Sequence, residues 1–354
     1  MNSDYFAVIM AGGVGSRFWP VSTQQYPKQF HDMLGTGKSL LQTTFNRISQ
    51  IIPQKNILIA THKDYKSLVL KQLPKVDKNQ ILLEPTMKNT APCILYASLK
   101  IQQKNPNALM LVAPSDHLIE NKKTFTNNVK FAFDSCREKD YLITLGIKPD
   151  TPNTGYGYIQ FKSENSSLKK VESFKEKPNL EKAQKLLAQG TSLWNAGIFI
   201  WSVKSILKAF AQFLPAMYAN LYVKNIYNTN LEKSFIDKNY SLCQNISIDY
   251  GVMEQAKNVY VLPVDFGWSD LGTWESLYNK LSKDTTGNAV MGAKTVFIDS
   301  KNNILRSSSG KKVIVQGLSD FIIVENDDIL LICPKKDGQH IKQIAQKAKQ
   351  AFES

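Results

Sequence analysis

One stretch near the N-terminus limits what this chain can fold into more than any other. The apolar run Phe6-Ala7-Val8-Ile9-Met10 leads straight into Ala11-Gly12-Gly13-Val14-Gly15-Ser16-Arg17-Phe18-Trp19-Pro20, and Pro27-Lys28-Gln29-Phe30 follows. An uninterrupted apolar run suits a strand buried on both faces of a parallel sheet. The glycines at 12, 13 and 15 admit positive φ and leave no Cβ between backbone N–H groups and a ligand. Successive N–H groups in such a turn form an anion nest. Arg17 adds a planar fork of donors and Lys28 a mobile point charge, so the segment is suited to hold a polyphosphate at two places.

Two neighbouring patterns are excluded. A dinucleotide fingerprint needs G-x-G-x-x-G, and Gly13-Val14-Gly15-Ser16-Arg17-Phe18 ends in a residue too large for close helix–strand packing. Gly35-Thr36-Gly37-Lys38-Ser39 resembles the end of a Walker A loop, but its opening glycine would fall at Asp32 and no buried strand leads into it. That segment reads as a turn and a helix start.

Length and charge narrow the class further. At 354 residues the chain has room for one large domain and a smaller one. Its formal charge of +14 could suggest nucleic acid, yet only Arg17, Arg47, Arg137 and Arg306 are arginines among 44 basic residues, and the lysines are scattered. Nucleic-acid surfaces cluster charge and favour Arg, so the excess reads as a solvated surface that also attracts anionic substrates. Cys93, Cys136, Cys243 and Cys333 show no C-x-x-C spacing, which predicts free thiols in a reducing cytoplasm and no zinc site. The apolar start lacks a basic n-region, so it is not a signal peptide, and nothing reaches the length of a membrane span.

Beyond the loop, helix and strand alternate. Leu40, Leu41, Phe45 and Ile48 fall on one helical face, Ile57 to Ala60 forms a strand, and Tyr65, Leu68 and Val69 mark a helix. Ile81 to Leu83 is a strand, Ala91 to Gln103 a helix and Leu109 to Ala113 a strand. This predicts an α/β fold with a parallel sheet, helices on both faces and ligands beyond the carboxyl ends of the strands. At that edge Glu84-Pro85-Thr86-Met87-Lys88-Asn89-Thr90 is a polar turn into a helix, with Thr90 as N-cap, and Pro114-Ser115-Asp116-His117 ends a buried strand in a carboxylate. From residue 285 short β runs take over, at Lys294 to Ile298, Val313 to Val315, Phe321 to Val324 and Ile329 to Ile332. Their turn-bounded spacing suits stacked β coils or another small β module, and Ile341, Ile344, Ala345, Ala348 and Phe352 make an amphipathic last helix.

The Gly-Gly-x-Gly-x-Arg loop with Trp19-Pro20 and Pro27-Lys28-Gln29-Phe30 resembles the signature of sugar-1-phosphate nucleotidyltransferases, in the variant of the mannose-1-phosphate guanylyltransferases. The resemblance implies a Rossmann-like, GT-A-like fold with a mixed, mainly parallel sheet in residues 1–284. It implies a short left-handed β-helix with a terminal helix in residues 285–354. GTP and mannose 1-phosphate would be the substrates, GDP-mannose and pyrophosphate the products, and Mg²⁺ the cofactor. It places Ala11, Gly12, Gly13, Gly15, Ser16, Arg17 and Lys28 at the phosphates. Glu84, Pro85, Asn89 and Thr90 fall at the base, where Glu84 could accept from the N1–H and N2–H₂ edge of guanine. Asp116 and Asp270 match the metal-binding carboxylates, with Asp265 the lower-ranked rival of Asp270. Arg17, Lys28, Asp116 and Asp270 form the implied catalytic set.

Three separate turns, around Gly155-Tyr156-Gly157, Phe174-Lys175-Glu176-Lys177-Pro178 and Trp194-Asn195-Ala196-Gly197, match the sugar-binding motifs. A sugar phosphate needs a carboxylate and an amide for its hydroxyls, a cation for its phosphate and a glycine where the backbone closes on the ring. Glu176, Asn195, Lys177 and Gly157 meet those needs. Ser247-Ile248-Asp249-Tyr250 matches the family as well and carries no role beyond capping and packing. Thr23 stands where an Arg is frequent, and Lys175 where an apolar residue is usual, which bears on substrate preference. Relatives with an added isomerase domain are much longer, so one activity is expected. The rival readings are a nucleotidyltransferase for another base or sugar, or a non-catalytic regulatory subunit on this fold. No nucleic acid or membrane partner is expected, and the resemblance leaves a homodimer open.

Overall fold

The computed structural model describes residues 2–307 and 310–352. Packing divides the chain into two compact units. One holds Met1–Gly12, Thr44–Ser115 and Ile119–Trp268, the other Gly13–Thr43, Asp116–Leu118 and Ser269–Ser354. The boundary read between 284 and 285 runs along the sequence, whereas these units interleave: the glycine loop after the first strand packs with the C-terminal segment.

The first unit is built on β1 (Tyr5–Met10), β2 (Ile57–His62), β3 (Ile81–Glu84), β4 (Leu109–Pro114), β6 (Leu142–Ile147), β7 (Tyr158–Phe161), β8 (Lys169–Lys175), β9 (Ser192–Ser202) and β10 (Val259–Val264), with the two-residue β5 (Leu118–Ile119) where the chain returns to it from the second unit. All but β5 form one sheet in the order β3-β2-β1-β4-β9-β6-β10-β8-β7. The β3-β2-β1-β4 half is parallel, as the alternation of helix and strand predicts. The other half is largely antiparallel: β9 runs against β4 and β6, and β7 and β8 run against each other. The link from Phe161 to Lys169 is too short for a parallel crossover, so these strands can only return as a hairpin.

Helices α1 (Leu40–Ile48), α2 (Lys66–Gln72), α3 (Thr90–Lys104), α4 (Lys122–Arg137), α5 (Leu180–Gln189), α6 (Val203–Phe213), α7 (Pro215–Leu221) and α8 (Glu232–Asn239) follow in chain order. Period-2 alternation along β1 sends Phe6 and Val8 into one core with Ala91, Ile94 and Leu95 of α3. Tyr5 points the other way and stacks on Phe133 of α4 at 4.2 Å between ring centroids. Both faces of the sheet are therefore covered, each fully buried aliphatic side chain contributing roughly 2 kcal/mol. Among the described residues no helix is long and apolar enough to cross a membrane, and Cys93, Cys136, Cys243 and Cys333 are buried free thiols.

The two-residue β11 (Trp268–Ser269) carries the chain from the first unit into the second, where α9 (Trp274–Lys280) follows. Then come β12 (Ala289–Met291), β13 (Lys294–Ile298), β14 (Ile304–Arg306), β15 (Lys312–Gln316), β16 (Phe321–Asn326), β17 (Ile329–Pro334) and α10 (Ile341–Phe352). Successive coils stack in parallel: Ala289 lies opposite Ile304, Ile304 opposite Ile322, and Lys294 opposite Lys312. This is a β-helix-like module, closed by β17 running antiparallel to β16. Its turns are tied by asparagines, with Asn303 Nδ2 donating to Asn288 Oδ1 at 3.0 Å and Phe321 N–H to Asn303 Oδ1 at 2.9 Å. The four predicted β runs appear as β13, β15, β16 and β17. Strands β12 and β14, three residues each, are too short to show as a pattern.

Leu305, Val315 and Ile323 fill the inside of the coils. Ile304, Ile322, Val324 and Leu331 join Phe18, Leu271, Trp274 and Ile341 in a second core. The terminal helix buries only its first turn this way; Phe352, expected on its apolar stripe, is exposed.

Candidate active site

In the second unit, Gly15, Ser16, Arg17, Phe18, Lys28, Asp116, His117, Asp270 and Gly272 line one cavity of about 500 Å³, which Gln339, Lys342 and Gln343 complete. Gly15 carries the turn into it at φ 71°, and a Cβ there would overlap the Lys28 side chain, so glycine is required both for conformation and for the lysine beside it. Gly12 and Gly13, by contrast, are not among the positive-φ residues. The Val14 carbonyl fixes the loop by accepting from the Lys28 N–H at 3.3 Å and from the Ser22 hydroxyl.

Lys28 is not the mobile charge its position suggests. Its side chain is 4% exposed, and Nζ donates to Asp116 Oδ2 at 2.9 Å and to the Asp270 carbonyl at 2.8 Å. Burial by itself would raise the Asp116 carboxyl, but the Lys28 ammonium, with the adjacent His117, outweighs it and holds the group below the ordinary carboxylate value. Arg17 is exposed on the cavity wall and makes no ion pair among the described residues.

Asp270 sits on a tight turn. Its Oδ1 accepts the Gly272 N–H at 3.0 Å, and a Cβ on Gly272 would come within 2.5 Å of Oδ2. Leu271 holds φ 46° and is fully buried, a conformation costing about 1–2 kcal/mol that its side-chain burial offsets. Asp265 is exposed and lies outside the lining. Two carboxylates with neighbouring room for phosphate and water form a donor set that fits a small hard divalent cation. No cluster of three or more His, Cys, Asp or Glu that could hold a metal unaided occurs among the described residues.

The base-side turn belongs to the first unit. Glu84 ends β3 and is buried; Tyr240 O–H donates to its Oε2 at 2.6 Å, and its Oε1 lies against Gly12. Burial pushes the carboxyl up to about 7, the Tyr240 hydrogen bond opposing part of the shift. Ala11 uses its N–H within the sheet, donating to Ala60 at 2.7 Å, and its carbonyl accepts from the Thr61 hydroxyl at 2.7 Å. Asn89, not Thr90, caps α3, at φ 66° with its side chain accepting the Thr90 N–H. Thr90 Oγ1 instead accepts the Ile248 N–H at 2.9 Å, tying the turn to the segment before Asp249. Pro85 is partly buried at the strand end.

Gly157, Glu176 and Asn195 also come together in the first unit. The Asn195 N–H donates to the Gly157 carbonyl at 2.8 Å, and a Cβ on Gly157 would overlap the Glu176 carboxylate. Lys177 pairs with Glu176 at 2.9 Å from a turn residue at φ 45°, with its side chain 62% exposed, so the pair contributes about 0–1 kcal/mol. Asn195 is held from both ends: Oδ1 accepts from the Thr144 hydroxyl at 3.0 Å and the Gly197 N–H at 3.1 Å, while Nδ2 donates to Asp249 Oδ1 at 2.8 Å. The amide thus has one N–H left to offer. Asp249, to which the sequence assigns no chemistry, opens a short turn of π-helix, Asp249–Met253; burial and the nearby Glu176 push its carboxyl up to about 6.

Residues 6–287 match the family model for nucleotidyl transferases, and residues 293–347 that for the MannoseP isomerase/GMP-like beta-helix domain. The chain is 36% identical to a mannose-1-phosphate guanylyltransferase of Escherichia coli, over 98% of this chain and 76% of that protein. It is 37% identical to a mannose-1-phosphate guanylyltransferase of Salmonella montevideo, over 97% of this chain and 73% of that protein. A solved structure from Thermus thermophilus, described as a mannose-1-phosphate geranyltransferase, matches with a TM-score of 0.87 at 28% identity, covering 98% of this chain and 99% of that one.

Proposed function

The chain belongs to the nucleotidyl transferase family, and on that premise we propose that it joins GTP and α-D-mannose 1-phosphate into GDP-mannose, releasing pyrophosphate. The observation that carries this reading is the single cavity on which Arg17, Lys28, Asp116 and Asp270 converge. An oxygen of the sugar phosphate attacks the α-phosphorus in line. The new P–O bond forms as the bond to the bridging oxygen of the β-phosphate breaks, and pyrophosphate leaves with that electron pair. No protein nucleophile is required, so the residues position reactants and neutralise charge.

Arg17 would hold phosphate oxygens through its fork, with the Gly12, Gly13, Gly15 and Ser16 backbone lining the same turn. Lys28, already fixed on Asp116, would keep the carboxylate ionised and oriented while adding positive charge near the leaving group. Asp116 and Asp270 would hold Mg²⁺, which when bound supplies Lewis-acid charge on the phosphate oxygens. Glu84 is proposed to read guanine through its paired N–H donors, on a turn shaped by Pro85, Asn89 and Thr90. Glu176 and the remaining Asn195 N–H are proposed for mannose hydroxyls, with Gly157 beside them and Lys177 for the sugar's phosphate. Residues 1–284 would form the catalytic segment and 285–354 the appended β-helix. A reducing cytoplasm, where the buried thiols stay free, is the proposed compartment, and a homodimer the proposed assembly.

The test is pyrophosphate release with Mg²⁺ over GTP, ATP, UTP and dTTP, each with mannose 1-phosphate and glucose 1-phosphate. GTP with mannose 1-phosphate should give the highest kcat/KM. Faster turnover with UTP or dTTP, or with glucose 1-phosphate, would move the substrates while leaving the reaction class in place.

A further inference from the structure

We propose that Lys342, on the terminal helix, is a third cation for the polyphosphate, gripping the pyrophosphate portion of the nucleotide and the pyrophosphate product. The inference rests on the reaction proposed above and adds to it a residue from the far end of the chain. Gln339, in the short 3-10 helix Lys335–His340, and Lys342 and Gln343, in the first turn of the terminal helix, form one face of the cavity that also holds Arg17, Lys28, Asp116 and Asp270.

What holds that face in place is specific. Ile341, fully buried, precedes Lys342; Phe18 follows Arg17; Leu271 follows Asp270; and Ile341, Phe18 and Leu271 pack in one hydrophobic cluster. Three cavity residues are therefore each anchored by an adjacent side chain in a shared core, and the helix also contacts the Ser16–Phe18 turn directly. A surface helix merely closing a β-helix would need no such register.

Charge balance gives Lys342 its use. The Lys28 ammonium is already paired with Asp116. Even with Mg²⁺ held by the carboxylates, the polyphosphate carries several negative charges, and besides Lys28 the only other Arg or Lys among the described residues of the lining are Arg17 and Lys342. Lys342 is exposed and, among the described residues, makes no ion pair, so its charge is available to the ligand, and the amides of Gln339 and Gln343 can donate beside it.

The experiment measures binding of inorganic pyrophosphate by calorimetry, and GTP kinetics, for wild type, Lys342→Ala, Lys342→Gln, Lys342→Arg and the outward-facing control Lys347→Ala. In Lys342→Ala and Lys342→Gln the pyrophosphate Kd and the KM for GTP should each rise about tenfold, the KM for mannose 1-phosphate staying as in wild type. Lys342→Arg should restore most of the loss, and Lys347→Ala should match wild type. If the wild type binds pyrophosphate and turns over while Lys342→Ala and Lys342→Gln bind it equally well, the role of Lys342 is wrong and the reaction stands. If the wild type neither binds pyrophosphate nor releases it, the proposed reaction falls and this inference with it.

Discussion

Glu84 offers a prediction whose size can be worked out. Its carboxyl is raised from 4.5 to about 7 by burial. At about 1.4 kcal/mol per pKa unit, the shift corresponds to roughly 3 kcal/mol of linkage. The sign follows from proton counts: between 4.5 and 7 the folded protein binds more protons at this site than the unfolded chain does. Stability should therefore fall as pH rises through that window, because the folded state must then hold a buried carboxylate. Glu84→Gln keeps an acceptor for the Tyr240 hydroxyl and removes the titration. Chemical denaturation of both proteins from about pH 4.5 to about pH 8 should show the variant gaining on wild type by about 3 kcal/mol across the range, with the gain complete above about pH 7. Asp249, which titrates nearby in pH, is common to both proteins and cancels in the difference. The same titration tests the base assignment, since guanine donors favour the ionised carboxylate. GTP affinity in the wild type should weaken by up to about tenfold per pH unit below about 7, and lose that slope in Glu84→Gln. Parallel loss of stability in the two proteins would refute the burial argument; a flat GTP profile in wild type would refute Glu84 as the reader of the base.

Asp116→Asn and Asp270→Asn should each lower kcat on the order of 10²-fold or more with little change in unfolding midpoint, because an amide is a weak ligand for a hard cation; near-normal turnover in both would remove the metal assignment. Arg17→Lys should cost about tenfold in kcat/KM, since one point charge replaces a fork, and full activity would show that only charge matters there. Gly15→Ala should destabilise by about 1–3 kcal/mol, from positive φ and the clash with the Lys28 stem, and reduce activity through displaced Lys28; a midpoint and turnover equal to wild type would show that the loop adapts freely.

Features written in one contiguous segment are legible in the sequence. The apolar runs of β1, β2 and β4, and the periodicity of α1 and α3, depend on local pattern and on burial between helices, which composition along a few residues reports directly. The glycine loop is legible for the same reason, although only Gly15 needs positive φ. Strand direction in the β9-β6-β10-β8-β7 half is not, because it depends on link lengths between elements whose ends the sequence does not mark sharply. The small β12 and β14 also escape, since three residues cannot establish a period.

Within the site, single residues are easier to name than their relations. Lys28 and Asp116 each stand out, but their pairing joins residues 88 apart, and it turns a mobile charge into a fixed one. Glu84 follows from donor–acceptor logic, while the Tyr240 hydroxyl that holds it comes from 156 residues downstream. Asp249 belongs to a matching segment; its use as the partner that fixes the Asn195 amide depends on a contact no spacing announces. Lys342 is the extreme case. In the sequence it is one lysine among many on an amphipathic helix, and only the burial of Ile341 beside Phe18 and Leu271 decides which way that lysine faces. The terminal helix acquires a place in the chemistry through hydrophobic packing, so its function and its contribution to stability should be separable: changing Lys342 should alter pyrophosphate binding at constant midpoint, whereas truncating Ile341 to Ala should cost about 2–5 kcal/mol and loosen Arg17 and Asp270 together.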